Sequence, residues 1–309
     1  MTGSFVPLVI LGAPRSGTNM LRDALCRLPG FGTWPCDEIN AIWRHGNTSH
    51  PTDELGADLA TPAVERFVRR RFEARARRDR LDVVVEKTCA NSLRVAFVSA
   101  VLPEARFVLL HRNPVDAVSS AILRWQRPFD LRYSLAKARF VPPSDLPALI
   151  LRALRNRWAR YGERQRRLAP WGPVFEGIDE LLARGSRLEV CAHQWVACVE
   201  RAVDDLESMS PDDYRVLAYE DFVARPADGL AELASLVDRE PRSEEFEEAS
   251  RPVRRNSVGR GGATLEGPEV EVVEEITAPG VEALNRLTSR AGHPQARARR
   301  AHGRNRRSS

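Results

Sequence analysis

At 309 residues, with 43% hydrophobic side chains, the chain is long enough for a substantial core and ordinary in composition for a globular protein. Its formal charge of +5 overstates how basic the body is, because the final stretch "HPQARARRAHGRNRRSS" holds six arginines and no acid. Without that stretch the body sits at about −1, so the charge gives no grounds for a nucleic-acid surface. Residues 1–292 are therefore expected to form one domain, and 293–309 a disordered basic tail. The five cysteines are odd in number and show no C-x-x-C spacing. That argues against a disulfide framework or a structural zinc site and for a reducing compartment. No run approaches the ~18 apolar residues of a membrane span. The opening "MTGSFVPLVILGAP" lacks a basic leader and reads as a first buried strand, which makes a cytoplasmic protein the expectation.

In chain order, "FVPLVILG" is a short apolar run ending in a glycine-rich loop, and "TNMLRDALCRL" continues it as a helix. "TPAVERFVRRRFEARARR" has Thr61 as a helix N-cap and Pro62 at its first position. "LDVVVEK" is a buried strand, and "SLRVAFVSAVLP" a helix ended by Pro103. "ARFVLLHR" is another buried strand, and "NPVDAVSSAILRW" a helix capped by Asn113 with Pro114 at its first position. Strands alternating with helices over residues 5–125 imply a parallel sheet covered on both faces. Residues 126–147 are proline-broken. Helical segments are expected at about 148–169 and 187–208, then a strand in "YRVLAYEDF" and a helix in "PADGLAELASLVD". "RPVRRNSVGRGG" reads as a basic, glycine-rich loop. "PEVEVVEEI" and "PGVEALNRLTSRAG" close the fold as helices. The expected class is α/β: a P-loop-type three-layer fold with a central parallel sheet flanked by helices, plus a helical insertion.

The stretch "LGAPRSGTNML" keeps the glycine spacing of a Walker A loop, Gly12 to Gly17, but Thr18 stands where the lysine belongs. A loop between a buried strand and a helix points backbone N–H groups at one place, and the helix dipole adds partial positive charge there. An anion is the natural occupant. The later strand "RFVLLHR" ends in His111 and Arg112, where a magnesium-binding carboxylate would stand in an NTPase. Cations without a metal carboxylate argue for an anion held without Mg²⁺. His111 itself reads as structural.

"GAPRSGTNML", followed some ninety residues later by "FVLLHRNPVDAVSS", resembles the PAPS-dependent sulfotransferases, PAPS being 3′-phosphoadenylyl sulfate. "YEDFVARP" and "NSVGR" are also similar to segments of that family. The resemblance implies that the first motif binds the 5′-phosphosulfate, through Arg15 and through the N–H groups of Ser16, Gly17, Thr18, Asn19 and Met20. It implies that Arg112 and Ser120 bind the 3′-phosphate, and that Arg124 and Tyr219 contact the nucleotide. A closing loop would bring Ser257 and Arg260. Lys87, in "VVVEKT", resembles a lysine of the tyrosylprotein enzymes that stabilises the leaving phosphate. Only Lys87 and Lys137 are lysines among 47 basic residues, so a retained lysine suits a specific role.

Two carboxylates compete for general base. Glu38, in "PCDEIN" and expected at the end of a second strand, resembles the acidic base of the tyrosylprotein enzymes. Glu86 resembles the E-K-T of carbohydrate sulfotransferases. Glu38 is preferred, with neighbouring Asp37 a candidate acceptor contact. Trp43, Arg44, Trp125 and Trp171 are candidates for the acceptor wall, although aromatic residues at helix ends are usually core. The implied partner is a hydroxyl-bearing acceptor, a carbohydrate or glycolipid on the resemblance of "DEIN…WRHGN" and "WGPVFEGIDELL" to bacterial enzymes. A small metabolite, a peptide tyrosine, a degenerate P-loop kinase and a nucleotide-sensing scaffold are the alternatives. No metal, nucleic-acid partner or membrane span is expected, and oligomeric state is not legible.

Overall fold

The computed structural model describes residues 5–125, 141–147, 171–254 and 258–290. Five strands carry the sheet: β1 (Val6–Leu11), β2 (Phe31–Gly32), β3 (Val83–Lys87), β4 (Arg106–His111) and β5 (Tyr214–Ala218). They pair in the order β2-β3-β1-β4-β5, and every pairing is parallel. The apolar runs read from sequence are β1, β3, β4 and β5, apolar on both faces because both faces are covered; no such run marks the two-residue β2.

Strand residues alternate between two cores, as the period of two requires. Val9, Leu11, Val84, Phe107, Leu109 and Val216 face one core. It is closed by α2 (Asn40–Trp43), α3 (Pro62–Asp79), α4 (Val95–Val101) and the helices Arg187–Glu207 and Gly267–Arg290. Leu8, Ile10, Val83, Val85, Val108 and Leu110 face the other. That core is closed by α1 (Thr18–Leu25) and the helices Tyr219–Ala224 and Pro226–Leu236.

Connectivity fixes where a ligand can go. From β1 the chain runs to the edge strand β2, returns to β3 beside β1, then crosses to β4 and β5 on the other side. The carboxyl ends of β1, β3 and β4 therefore border the topological switch point, where open α/β sheets hold ligands. Arg15, Lys87 and Arg112 follow or end those three strands.

The caps behave as the sequence indicates. Thr61 Oγ1 accepts from Val64 N–H, with Pro62 at the first helical position of α3. Asn113 Oδ1 accepts from Asp116 N–H at the start of α5 (Pro114–Trp125). Three expectations are corrected. "YEDF" leaves the sheet at once and forms a helix, Tyr219–Ala224. The two closing helices are one, Gly267–Arg290, running through Pro279. Packing along the helix Arg187–Glu207 holds it together: Gly280 lies so close to Trp195 that an added Cβ would stand 2.8 Å from the ring. The second strand is only two residues long, so Glu38 lies in the loop beyond it. The expected helix at 148–169, most of 126–147, Ser257 and the 293–309 tail lie outside the described residues.

Candidate active site

The chain leaves β1 through a loop that only particular residues can build. A Cβ at Gly12 would stand 2.5 Å from the Leu110 carbonyl oxygen. Gly17 has φ 92°, and a Cβ there would collide with the Tyr219 ring. Arg15 also takes a left-handed conformation, φ 72°, an unusual cost for a non-glycine residue and one that gathers at functional sites. The loop delivers the chain to α1, whose N-cap is Gly17 and whose first turn has no side-chain cap. Its first N–H groups have no partner within the helix. Ser16 differs: its N–H is donated to the Ala13 carbonyl at 3.2 Å, which tightens the loop. Its Oγ is buried without a hydrogen-bond partner, as is Asn19 Oδ1.

The two distant motifs meet directly. Arg15 Nε donates to Ser120 Oγ at 3.1 Å. Arg112 Nη1 donates to the Arg15 carbonyl at 3.2 Å. The Arg112 guanidinium lies 4.7 Å from the centroid of the Tyr219 ring, a cation–π contact. Tyr219 is thereby wedged between Gly17 and Arg112, and links the late strand to both motifs.

Glu38 is held from three directions. Its Oε1 accepts from Lys87 Nζ at 3.0 Å and from the Cys89 N–H at 3.3 Å. On one flank, Arg22 Nη1 donates to the Asp37 carbonyl at 3.2 Å and to Asp37 Oδ1 at 3.4 Å. On the other, Ile39 N–H donates to Thr88 Oγ1 at 3.1 Å. Burial alone would depress the Lys87 ammonium, but the neighbouring Cys89 sulfur and the Glu38 carboxylate outweigh it, and its pKa is raised. Lys87 is therefore a fixed cation. Burial pushes the Cys89 thiol up to about 12, so it is no nucleophile at neutral pH.

Glu86 occupies a different place. It is buried beneath the site and does not line the cavity. Its Oε1 accepts from Thr88 Oγ1 at 2.5 Å and its Oε2 from Asn91 Nδ2 at 2.7 Å. Burial raises its pKa against those bonds. Thr88 thus relays Glu86 to the backbone beside Glu38. The polar network runs further: Arg94 Nε donates to Asn91 Oδ1, Arg94 Nη2 to Asn40 Oδ1, and Asn40 Nδ2 to Asp53 Oδ1. Asp53 Oδ1 also accepts from Arg44 at 2.9 Å, and its Oδ2 from the Val174 N–H at 2.9 Å. Burial opposes the Asp53 charge, but Arg94, the Val174 N–H and Arg44 prevail and hold its pKa below the usual range. Burial also drops the Arg94 pKa to about 10.

These elements enclose a cavity of about 530 Å³, within the usual range for ligand sites. Arg15, Gly17, Thr18, Asn19, Met20, Glu38, Lys87, Arg112, Ser120, Arg124 and Tyr219 all line it, so the structure brings together most of the residues singled out from sequence. Trp171 lines it too, its ring centroid 6.1 Å from that of Trp125. Trp43 and Arg44 do not. Trp43 is buried in the core edge-on to Phe72, and Arg44 is spent on Asp53 and the carbonyls of Thr52, Asn47 and His50. The Arg260 side chain lies outside the cavity wall. Sequence reasoning missed Asn40, Asp53 and Cys89, which line the cavity, and Asp116, which lies 3.4 Å from Arg112. Only Asp116 carried a local signal, an acid in the first turn of α5, four residues after the arginine that follows β4. Among the described residues, no helix is long and apolar enough to cross a membrane, and no three His, Cys, Asp or Glu side chains cluster as metal ligands.

A parallel sheet with an anion loop after its first strand and a second cationic motif after a neighbouring strand defines a P-loop-type fold built around phosphate chemistry. Residues 7–171, just over half of the chain, match the family model described as "Sulfotransferase family". The chain belongs to that family and is a PAPS-dependent sulfotransferase. No curated protein matches it in sequence. Among solved structures, it is similar to the sulfotransferase domain from the curacin biosynthetic pathway, at 13% identity over 94% of this chain and 99% of that one, TM-score 0.49. It is also similar to sulfotransferase STF9 from Mycobacterium avium, at 15% identity over 89% and 76%, TM-score 0.49. A third is mouse sulfotransferase SULT7A1 complexed with PAP, at 11% identity over 93% and 91%, TM-score 0.48.

Proposed function

We propose that the enzyme transfers the sulfuryl group of PAPS to a hydroxyl on a carbohydrate or glycolipid, leaving 3′,5′-adenosine bisphosphate (PAP), with Glu38 as general base. The observation that carries this reading is the Lys87–Glu38 pair, 3.0 Å apart, in the wall of the same cavity that the anion loop lines. The residues fit the donor. The uncapped first turn of α1, the buried Ser16 hydroxyl, and the cations Arg15, Lys87, Arg112 and Arg124 form a donor set for phosphate and sulfate oxygens. Arg112 and Ser120 hold the 3′-phosphate, and Tyr219 carries the Arg112 guanidinium.

In the reaction the acceptor oxygen bonds to sulfur, the bond from sulfur to the bridging oxygen breaks, and that oxygen leaves with PAP. Such transfers depend on in-line positioning and charge stabilisation. Glu38 takes the acceptor proton, and Lys87 and Arg15 stabilise charge on the bridging oxygen. Glu86 acts through Thr88 as a positioning residue for the Glu38 loop. Trp171, backed by Trp125, shares the cavity wall with Asn40 and Asp53 and supports a sugar acceptor, because an aromatic face together with polar groups suits a carbohydrate. The test is an acceptor screen with sulfur-labelled PAPS across glycans, glycolipids, phenols and tyrosine peptides. Label on a glycan hydroxyl is expected; label on a phenol or tyrosine alone would overturn the carbohydrate assignment.

A further inference from the structure

Asp116 is almost fully buried at the first turn of α5, and its carboxylate serves two parts of the chain at once. Oδ2 lies 3.4 Å from Arg112 Nη2. The same Oδ2 accepts the Gly259 N–H at 2.7 Å, and Oδ1 accepts the Gly261 N–H at 2.5 Å. A segment nearly 150 residues away in sequence is thereby tied to the arginine assigned to the 3′-phosphate. The seat is shaped as well as charged. Gly261 packs so tightly on the backbone of α5 that a Cβ would stand 2.6 Å from the Val115 carbonyl and 2.7 Å from Asp116 N. Gly259 has φ 74° with no atom within 4 Å of where its Cβ would be. The two glycines therefore separate two requirements, backbone freedom at 259 and close approach at 261.

We infer that Asp116 is a positioning residue that couples docking of the 259–261 segment to the orientation of Arg112, so that the nucleotide's 3′-phosphate is gripped only when that segment is seated. The inference rests on the PAPS reading above. A carboxylate with one oxygen shared between a guanidinium and a loop N–H cannot shift toward either without affecting the other. Undocking the segment frees Asp116 to pair fully with Arg112 and turns the guanidinium away from the phosphate. Losing Asp116 takes the carboxylate from two backbone N–H groups and removes an ion-pair partner of Arg112, whose other contacts include the Arg15 carbonyl and the Tyr219 face.

The test is calorimetric titration of PAP into the full chain and its variants, with PAPS kinetics alongside. Asp116→Ala is expected to weaken PAP about 30-fold and raise the PAPS KM in parallel, with kcat changed less than about threefold. Gly261→Ala leaves the Asp116–Arg112 pair chemically intact and should weaken PAP about tenfold through the segment alone. The double variant should bind no more weakly than Asp116→Ala, because both changes break one coupled unit. Asp116→Asn keeps an acceptor for one glycine N–H and should restore part of the affinity. If circular dichroism shows Asp116→Ala unfolded, Asp116→Asn paired with Gly259→Ala carries the same cycle. Multiplicative losses in the double variant, or unchanged PAP affinity in the single ones, overturn the coupling. A wild-type chain that does not bind PAP would sink the donor reading itself.

Discussion

Replacing Glu38 with glutamine removes the proposed base while keeping its shape. The glutamine carbonyl can still accept from Lys87 Nζ and the Cys89 N–H, the two contacts that Oε1 makes now. The loop should also stay in place, because Arg22 and Thr88 hold it through Asp37 and the Ile39 backbone and do not touch the Glu38 side chain. The change is therefore confined to charge and basicity. General-base catalysis contributes about 10²–10⁴ in rate, which corresponds to about 3–5 kcal/mol of barrier. A second effect has the opposite sign for binding: Lys87 loses a carboxylate partner and becomes more available to the leaving phosphate. Glu38→Gln should lower kcat at least about 100-fold with the PAPS KM unchanged or lower. The assay is steady-state transfer of labelled sulfate at saturating acceptor, with PAP affinity measured separately. A kcat within about threefold of wild type would refute the assignment, above all if Glu86→Gln showed the larger loss.

Three further outcomes follow from the same geometry. Arg112→Ala should raise the PAPS KM about 10–100-fold while leaving the acceptor KM nearly unchanged, as expected for a lost charge-assisted contact to one substrate; equal changes in both would contradict the division of the cavity. Gly17→Ala should abolish measurable PAP binding in a titration, because the new methyl meets the Tyr219 ring and φ 92° is strained for alanine; wild-type affinity would mean that the loop does not need its shape. Asp53→Asn should destabilise the fold by about 3 kcal/mol at pH 7, because it strips the charge from a carboxylate buried against Arg44 and Arg94. The Asp53 pKa is lower in the folded state than its ordinary 3.8, so its contribution is fully present above that value and lost as pH falls through the folded pKa. The melting-temperature gap between wild type and variant should therefore close on acidification, and a gap that persists at low pH would count against the ion pair as its source.

The donor side was legible because its chemistry is local. Gly12, Arg15 and Gly17 lie within one turn-forming stretch, and Ser120 lies on α5 eight residues after Arg112 at the end of β4, so two short motifs, each intact in the sequence, carry the resemblance to the sulfotransferases. That Arg15 bonds Ser120 directly is a tertiary fact, but it joins two motifs that each stood out alone. The acceptor side was less legible for a physical reason. Trp43 and Arg44 look like surface recognition groups in "AIWRHGN", yet Phe72 and Asp53, from separate segments, draw them into the interior. Glu86 and Glu38 could not be separated from sequence because the distinction is one of depth. A single 3₁₀ turn after β3 supplies Asn91, which with Thr88 satisfies both oxygens of Glu86, while Glu38 faces the cavity. The closing helix was split at Pro279 because proline disfavours a helix interior, and only its packing against Trp195 shows why the helix continues.

A nucleotide held by arginines, a lysine and backbone N–H groups, without a metal, is the centre of the proposed mechanism. Isothermal titration of PAP in the presence of EDTA tests this directly, with Mg-ATP as the comparison. Micromolar PAP affinity that added Mg²⁺ does not improve is the predicted result. Binding of Mg-ATP with no measurable affinity for PAP would contradict it.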